Sequence, residues 1–222
     1  MSAMSPSYFF DLSKFLHRSI FDQSPYVWSV LSTISSYLNT CSLGKIEVEI
    51  PKSVHLVNPE LISIGKGTQV EPGACLIGPC VIGENCSIRH GAYLRGNVLT
   101  GNSCVLGHNS EFKNAILFNG ACAAHSAYVG DSILGHRVNL GAGSVLANLR
   151  FDHEHIVLSL DGKQVETGLY KFGAILGDDA QTGCNSVTNP GTLMGKHVLC
   201  YPCTNAGGFI PSGKIIRPAA HT

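Results

Sequence analysis

Five polar side chains that could contribute to an active site lie close together in the 222-residue chain: His125, Tyr128, Asp131, Asn139 and Asn148. An imidazole group titrates near neutral pH, so it can take a proton from a nucleophile. A phenol and two amides can hold a polar substrate by hydrogen bonds. This grouping has two interpretations: His125 is either a structural histidine or a candidate for the general base of an active site.

Two cationic residues, Arg95 and Lys113, precede this stretch. Their spacing equals three repeats of a six-residue period, which is one β-helix coil of about 18 residues. They would therefore stack on one face, where neighbouring cations repel each other unless an anion lies between them. The spacing has two interpretations. Either both are solvated surface charges, or Arg95 and Lys113 form a clamp for a phosphate group.

The six-residue period leads into this region and would position these side chains. The recurring position is apolar except at Thr100: Ile64, Val70, Leu76, Ile82, Ile88, Leu94, Thr100, Leu106, Phe112 and Phe118. This period is typical of a parallel β-helix with three hexapeptides in each coil. Small residues recur four positions later. Four of them are cysteines, which we expect to be buried without a redox or metal function: Cys80, Cys86, Cys104 and Cys122.

The period breaks after Phe118 and returns at Leu134, two positions short of three further hexads. A polar stretch at about 150–170 interrupts it again, and Asp161-Gly162 within that stretch predicts a hairpin turn. We expect a β-arm that leaves the helix and returns in register. The tail after Gly207 is expected to cap the last coil.

Residues 1–44 have helical spacing instead. A first short helix is indicated by Leu12, Phe15, Leu16 and Ile20. Ser24-Pro25 predicts the start of a second helix, whose buried face carries Val27, Leu31, Ile34 and Leu38. Residues 46–50 alternate between apolar and charged types and predict a strand. The chain therefore divides into a helical segment at 1–44 and a β-helix domain at 45–222.

The charge balance is even, with 15 Lys and Arg against 15 Asp and Glu. A nucleic-acid or membrane-surface partner would require clustered positive charge, so neither is expected. No run reaches the roughly 18 apolar residues of a membrane span, and Asp11 interrupts the apolar N-terminus too early for a secretory signal. Nine cysteines, an odd number, do not suit a disulfide framework. We expect a cytoplasmic protein.

Histidine spacing offers a metal alternative. His90, His108 and His125 follow one another at intervals close to one coil, and trimeric β-helix carbonic anhydrases bind zinc through three histidines. Those enzymes have a pair of histidines separated by four residues, which this chain lacks. Cys200 and Cys203 lack a second pair at zinc-ribbon spacing. We therefore expect no metal, and stacked surface imidazoles at His90 and His108.

The residues from His125 to Asp178 resemble a known family. HSAYVGDSILG from His125, NLGAGSVLAN ending at Asn148 and KFGAILGD from Lys171 are similar to one acetyltransferase domain. This domain belongs to bifunctional UDP-N-acetylglucosamine pyrophosphorylase/glucosamine-1-phosphate N-acetyltransferase. The similarity is closest to the archaeal and Bacteroides-type members of that family. The resemblance covers about residues 70–213 and fixes polar residues at spacings that the hexad period does not require.

The resemblance implies a left-handed β-helix and a homotrimer with sites between adjacent subunits. His125 matches the family's general base. Ala142 and Asn148 match the acetyl-CoA side, where the Ala142 N–H would be an oxyanion donor. Five residues match contacts to the sugar phosphate: Arg95, Lys113, Tyr128, Asn139 and Lys171.

The expected function is N-acetylation of an amino-sugar 1-phosphate, with glucosamine 1-phosphate as the substrate and acetyl-CoA as the co-substrate. The product would enter synthesis of UDP-N-acetylglucosamine-type nucleotide sugars. No Gly-rich phosphate loop precedes residue 50, so we expect no nucleotidyltransferase activity, and a separate chain would supply the uridylyl step. One alternative is a non-catalytic sugar-phosphate-binding or assembly protein, since Leu149, Cys184 and Gly207 depart from the family's CoA-side residues. A zinc-dependent hydratase is a more distant alternative.

Overall fold

The computed structural model describes residues 4–22 and 24–218. Most of this chain is a left-handed parallel β-helix of about 9 turns, which confirms the predicted fold class. Apolar residues point inward because side chains alternate across each strand. One inward stack runs through successive coils, with each residue paired to the next: Leu76, Leu94, Phe112, Val129 and Leu146.

The parallel strands form three faces. The first face contains β1 (His55–Val57), β4 (Cys75–Ile77), β7 (Tyr93–Arg95), β14 (Val145–Leu146), β19 (Val187–Thr188) and β22 (Asn205–Ala206). The second contains β2 (Ile62–Ile64), β5 (Cys80–Ile82), β8 (Val98–Thr100), β17 (Ala174–Leu176), β20 (Thr192–Met194) and β23 (Phe209–Ile210). Two longer strands cross from the first face to the second: β10 (Glu111–Leu117) and β12 (Tyr128–Leu134). The third contains β3 (Gln69–Val70), β6 (Ser87–Ile88), β9 (Val105–His108), β11 (Cys122–His125), β13 (Asn139–Leu140), β18 (Gln181–Thr182), β21 (Leu199–Cys200) and β24 (Ile215–Ile216).

The break in the period is spread over two coils, so its predicted position was wrong. Leu117 rather than Phe118 pairs with Thr100, and Leu134 pairs with Leu117. Each of these steps is one residue shorter than three hexads. The two missing residues are therefore lost one at a time, and Phe118 lies outside the interior of the helix.

Tight corners explain these short coils. In the preceding coil, two successive residues with left-handed backbone, Gly96 (φ 83°) and Asn97 (φ 53°), turn the chain from the first face to the second. In β10 and β12 a single residue does so, Asn114 (φ 49°) or Asp131 (φ 48°). Asn and Asp are the side chains that best tolerate this conformation. Because the corners in β10 and β12 each use one turn residue fewer, each of these two coils is one residue shorter.

The same shift moves one predicted core cysteine outward. Cys80, Cys86 and Cys104 are buried as expected, and all nine cysteines are free thiols. Cys122 is half-buried on the outer side of the third face, and Ala121 fills the small interior position instead. The prediction of a core position for Cys122 was therefore wrong.

The N-terminal segment, residues 4–44, packs on the second face. Its helices are short: α1 (Pro6–Phe9), α2 (Ile34–Leu38), and 3-10 helices at Leu12–Lys14, Arg18–Phe21 and Val27–Ser32. The predicted apolar face of Val27, Leu31, Ile34 and Leu38 is buried, in a cluster with Leu99, Ile116 and Ile133 of the second face. The predicted helix start at Ser24-Pro25 was wrong, because the 3-10 helix begins after Tyr26. Leu16, one of the four residues that indicated the first helix, is exposed.

Phe118 gives this segment its main anchor. Its ring stacks on Phe15 with a centroid distance of 4.0 Å and on Phe10 at 4.5 Å. Asp178 adds polar contacts, because its Oδ2 accepts a hydrogen bond of 2.7 Å from the Asp11 N–H and its own N–H donates to the Phe9 carbonyl.

The arm, residues 149–171, has the predicted hairpin. Its strands β15 (Val157–Leu160) and β16 (Lys163–Glu166) are antiparallel, and Asp161 and Gly162 both have positive φ at the turn. The helix then resumes in register, with Leu176 paired to Leu134.

The two ends of the helix differ from expectation. The described part of the tail, up to residue 218, does not cap the solenoid, because β23 and β24 continue its second and third faces. The predicted strand at 46–50 is reduced to one bridge between Ile46 and Ile64. A further 3-10 helix, Pro59–Leu61, precedes β2. Within residues 4–22 and 24–218, no helix is both long and apolar enough to cross a membrane.

Candidate active site

A polar cluster lies where the first face meets the second. Four residues recur there at one position per coil, and we call this column the Asx corner: Asn97, Asn114, Asp131 and Asn148. Asp131 is at its centre with a relative exposure of only 4%.

The Asp131 carboxylate is held by three donors. Lys113 Nζ lies 3.0 Å from both of its oxygens, Asn114 Nδ2 donates to Oδ1 at 3.0 Å, and Asn148 Nδ2 donates to Oδ2 at 2.6 Å. A buried carboxylate is tolerated only with such partners. Asp131 therefore fixes the side chains of both Lys113 and Asn148.

Tyr128 completes this cluster. Its hydroxyl oxygen accepts a hydrogen bond of 3.2 Å from Asn148 Nδ2. Its side chain lies across Gly130, where an added Cβ would be 2.5 Å from the hydroxyl oxygen and 2.8 Å from Asn148 Nδ2. Burial raises the pKa of Tyr128 above its usual value, so the phenol keeps its proton and can donate it in a hydrogen bond.

Arg95 and Lys113 occupy neighbouring strands, as the spacing predicts, because Leu94 pairs with Phe112. Each cation already has a carboxylate partner. Arg95 Nη1 donates to Glu111 Oε1 at 2.6 Å, and this hydrogen bond raises the pKa of Arg95. The anions that offset the repulsion between the two cations are thus the carboxylates of Glu111 and Asp131, so the spacing alone does not require a bound anion.

A second column runs along the corner between the third face and the first, and we call it the histidine corner. Its members are His90, His108, His125, Ala142 and Cys184. The His90 and His108 rings stack with a centroid distance of 5.7 Å and an interplanar angle of 17°. The Nδ1 atom of each lies close to a carbonyl oxygen of the coil before, at 2.6 Å from Pro72 and 2.9 Å from His90.

His125 differs from these two histidines. It is exposed and paired in register with His108, but its ring has no hydrogen-bond partner among the residues that the structure describes. It lies three residues before Tyr128, at the opposite end of a turn made by Ser126 and Ala127. An exposed ring without a partner is available to take a proton from a ligand.

The remaining predicted site residues lie around these two corners. Ala142 follows His125 in the column, and in the described part of the chain its N–H has no acceptor. Asn139 points outward from the third face. Lys171 is exposed at the end of the arm and forms no ion pair with another described residue. The next residue, Phe172, donates its N–H to the Asn148 carbonyl at 3.0 Å, which ties the end of the arm to the Asx corner.

Hydrogen bonds through Asp131 therefore join Lys113 to Asn148, which also contacts Tyr128. The other three predicted residues lie outside this cluster. His125 and Ala142 are at the opposite edge of the first face, and Asn139 is on the third face. Asn148 was predicted to lie on the acyl-donor side, whereas its amide faces the cluster that contains Lys113. Asn114 and Asp131, which hold this cluster together, and Glu111, which pairs with Arg95, were not among the predicted site residues. The recurrence of Asn and Asp at intervals one residue shorter than three hexads was the signal that could have found two of them.

An open cleft lies beside the Asx corner at the foot of the arm. It has a volume of about 600 Å³, and Leu149, Phe151, Val187 and Asn189 are among its lining residues. Phe151 is fully exposed. Among the described residues, no group of three His, Cys, Asp or Glu side chains could hold a metal ion.

Comparison with known proteins finds curated relatives that match about a third of the chain. It is 41% identical over 78 residues to a bifunctional sugar-1-phosphate nucleotidylyltransferase/acetyltransferase of Sulfurisphaera tokodaii, a match covering 35% of this chain and 20% of that protein. It is 41% identical over 75 residues to the bifunctional protein GlmU of Methanococcus vannielii, covering 34% of this chain and 18% of that protein. The chain thus spans about a fifth of the length of the curated relatives it matches, which confirm the predicted resemblance.

One similar solved structure is the UDP-N-acetylglucosamine acyltransferase of Arabidopsis, with 11% identity, a TM-score of 0.41, and coverage of 74% of this chain and 69% of that one. The sequence profile described as the GMPPB C-terminal domain matches residues 76–205. That range is more than half of the chain, so this chain belongs to the GMPPB C-terminal domain family.

Proposed function

We propose that this chain is an acyltransferase that moves an acetyl group from acetyl-CoA to the amine of an amino-sugar 1-phosphate, with glucosamine 1-phosphate as the substrate. The observation that carries the proposal is the position of His125. Its ring is exposed and has no partner among the described residues, and it lies three residues from the cluster that contains Tyr128 and Lys113.

The amine of an amino sugar is protonated near neutral pH and cannot act as a nucleophile in that form. A ring nitrogen of His125 takes one proton, and the free amine attacks the thioester carbon. The tetrahedral intermediate then collapses, the C–S bond breaks, and CoA leaves as its thiol after taking up a proton. We assign the stabilisation of the oxyanion to the N–H of Ala142, which has no acceptor among the described residues. One such donor typically contributes about 3 kcal/mol.

The sugar phosphate is assigned to the cationic side of the cluster. Arg95 and Lys113 lie on neighbouring strands, Tyr128 can donate a hydrogen bond, and Lys171 is exposed without an ion pair in the described chain. A phosphate bound here interacts with Arg95 and Lys113 while these cations remain paired with Glu111 and Asp131. We assign Asn139 as a further sugar contact and the cleft beside Leu149 to the acyl donor.

We also propose a homotrimer, in which a second copy completes each site. His125 is exposed and Ala142 is half-buried, and both lie on an outer corner of the solenoid, whereas small-molecule sites are concave and bury most of the ligand. A neighbouring subunit facing this corner would provide the missing wall. The resemblance to trimeric sugar acetyltransferases points to the same arrangement.

The test is turnover of acetyl-CoA and glucosamine 1-phosphate, with CoA measured by chromatography. Thiol dyes are unsuitable because Cys184 and Cys203 are exposed. We expect His125→Ala to lower turnover at least about a hundredfold. His108→Ala is the matched control, because His108 belongs to the same column but contacts a backbone carbonyl; it should retain activity.

Equal turnover by His125→Ala and the unmodified chain would refute the assignment of the base. Calorimetry distinguishes the proposed acyltransferase from a second candidate, which binds the sugar phosphate without catalysis. Binding of glucosamine 1-phosphate without binding of acetyl-CoA would instead establish a non-catalytic sugar-phosphate-binding protein, which the departures at Leu149, Cys184 and Gly207 favour.

A further inference from the structure

The side-chain amide of Asn114 connects the N-terminal segment with the Asx corner. Its Nδ2 atom donates one hydrogen bond of 3.0 Å to the Leu31 carbonyl and another of 3.0 Å to Asp131 Oδ1. Leu31 is buried within the 3-10 helix Val27–Ser32, far earlier in the chain. Both protons of this amide are thereby used, one on each side.

We propose that Asn114 and the 3-10 helix Val27–Ser32 are positioning elements of the active site. The Leu31 carbonyl fixes the rotation of the Asn114 amide, and the amide fixes the Asp131 carboxylate. Asp131 in turn holds Lys113 on the sugar-phosphate side and Asn148 near the arm. The N-terminal segment is therefore part of the machinery that orients the substrates. This inference deepens the proposed function and rests on it for its kinetic test.

The arm provides a second link from the same segment. Trp28 packs near Phe172 with a ring-centroid distance of 6.5 Å, and Tyr26 stacks on Trp28 at 4.6 Å. Phe172 donates its N–H to the Asn148 carbonyl. Residues 26–31 are thus linked indirectly to both members of the Asp131–Asn148 pair, to Asp131 through Asn114 and to Asn148 through Phe172.

Asn97 shows whether the turn itself requires an amide side chain. Asn97 occupies the same corner in the preceding coil and has nearly the same backbone, with φ of 53° against 49° for Asn114. The Asn97 side chain forms no hydrogen bond with any described residue. An amide is therefore not required to make the corner, and the two hydrogen bonds of Asn114 serve its neighbours.

Asn114→Gly tests the proposal, because glycine accepts positive φ without strain and removes both hydrogen bonds. Asn97→Gly is the matched control. We expect Asn114→Gly to lower kcat/KM about tenfold, the change expected from losing one to two such bonds. Hydrogen exchange in residues 27–38 should become faster in the same variant. Asn97→Gly should change neither quantity.

Wild-type kinetics in Asn114→Gly would overturn the proposal, as would equal losses in both glycine variants. Unchanged exchange in residues 27–38 would overturn the part assigned to the N-terminal segment. If Asn114→Gly does not fold, Asn114→Ser replaces it, since serine already has positive φ at Ser103 and Ser126. If even the unmodified chain shows no turnover, the proposed function has failed, and the exchange comparison alone still decides whether Asn114 couples the segment to the corner.

Discussion

Asn148 donates a hydrogen bond of 2.6 Å to Asp131, the preceding member of the same column. The bond exists because the coils here are one residue shorter than three hexads, which brings successive Asn and Asp residues to one corner. Asp131 also holds Lys113. One buried carboxylate thus orients a residue proposed to bind the sugar phosphate and a residue at the base of the arm.

Asp131→Asn isolates the charge of this residue. Asparagine tolerates the same left-handed backbone, but it offers one acceptor oxygen where Lys113 and Asn148 now use two. We expect kcat/KM for acetyl transfer to fall roughly ten- to a hundredfold, because hydrogen bonds to charged groups typically contribute about 1.5–3 kcal/mol. Asp161→Asn, at the exposed turn of the arm with φ of 50°, is the control and should keep full activity. Comparable activity of Asp131→Asn and Asp161→Asn would disprove the role of the carboxylate.

Gly130→Ala tests the placement of Tyr128. The added methyl group would lie 2.5 Å from the Tyr128 hydroxyl oxygen and 2.8 Å from Asn148 Nδ2. Both atoms are at the ends of side chains that can rotate away, so we expect the fold to survive with a melting temperature within a few degrees of the original. Turnover should fall about tenfold or more, because the Tyr128–Asn148 contact is lost. A variant that melts normally and turns over normally would show that this contact has no functional role.

The hexad period predicted the solenoid and the inward residues up to Phe112, because both follow from a repeated spacing. The arm was predicted from the polar interruption of that period and from Asp161-Gly162. The period misplaced the break, because Leu117 and Phe118 are both apolar and either can end a hexad. The choice between them depends on the N-terminal segment, whose Phe10 and Phe15 provide the aromatic partners for Phe118.

The site was predicted less completely than the fold. Arg95 and Lys113 were found from a spacing of three hexads, and their strands are neighbours. Asp131 was noticed among the polar residues after His125 but was given no role, because its partners Asn114 and Asn148 align with it only in coils that are one residue short. The contact between Asn114 and Leu31 joins two distant parts of the chain, and no local pattern in the sequence encodes it.

Phe118→Ala tests how the N-terminal segment is held. Phe118 is fully buried and stacks on Phe10 and Phe15, so its truncation should lower the free energy of unfolding by about 3–5 kcal/mol. Urea denaturation measures the change. Phe151→Ala is the control, because Phe151 is fully exposed, and it should leave stability unaltered. A loss below about 1 kcal/mol for Phe118→Ala would contradict the packing described for this segment.

His17 should make stability depend on pH. Burial lowers its pKa below the usual value of 6.5, so the folded chain takes up this proton less readily than the unfolded chain. The resulting stabilisation is fully present above that usual value and is lost as the pH falls through the pKa of the folded state. Unfolding measured between pH 8 and pH 5 should show a weaker pH dependence in His17→Gln than in the unmodified chain. His155→Gln, on the exposed part of the arm, should keep the original dependence, and identical curves for His17→Gln and His155→Gln would refute the prediction.

The most direct test of the central claim compares two acceptors, glucosamine 1-phosphate and glucosamine, each incubated with acetyl-CoA and this chain. Mass spectrometry then measures the rate at which the N-acetylated product forms. Because Arg95, Lys113 and Lys171 are assigned to the phosphate, we predict product from glucosamine 1-phosphate and a kcat/KM at least about a hundredfold lower for glucosamine. Absence of N-acetylated product from glucosamine 1-phosphate, or equal rates with the two acceptors, would contradict the proposed function.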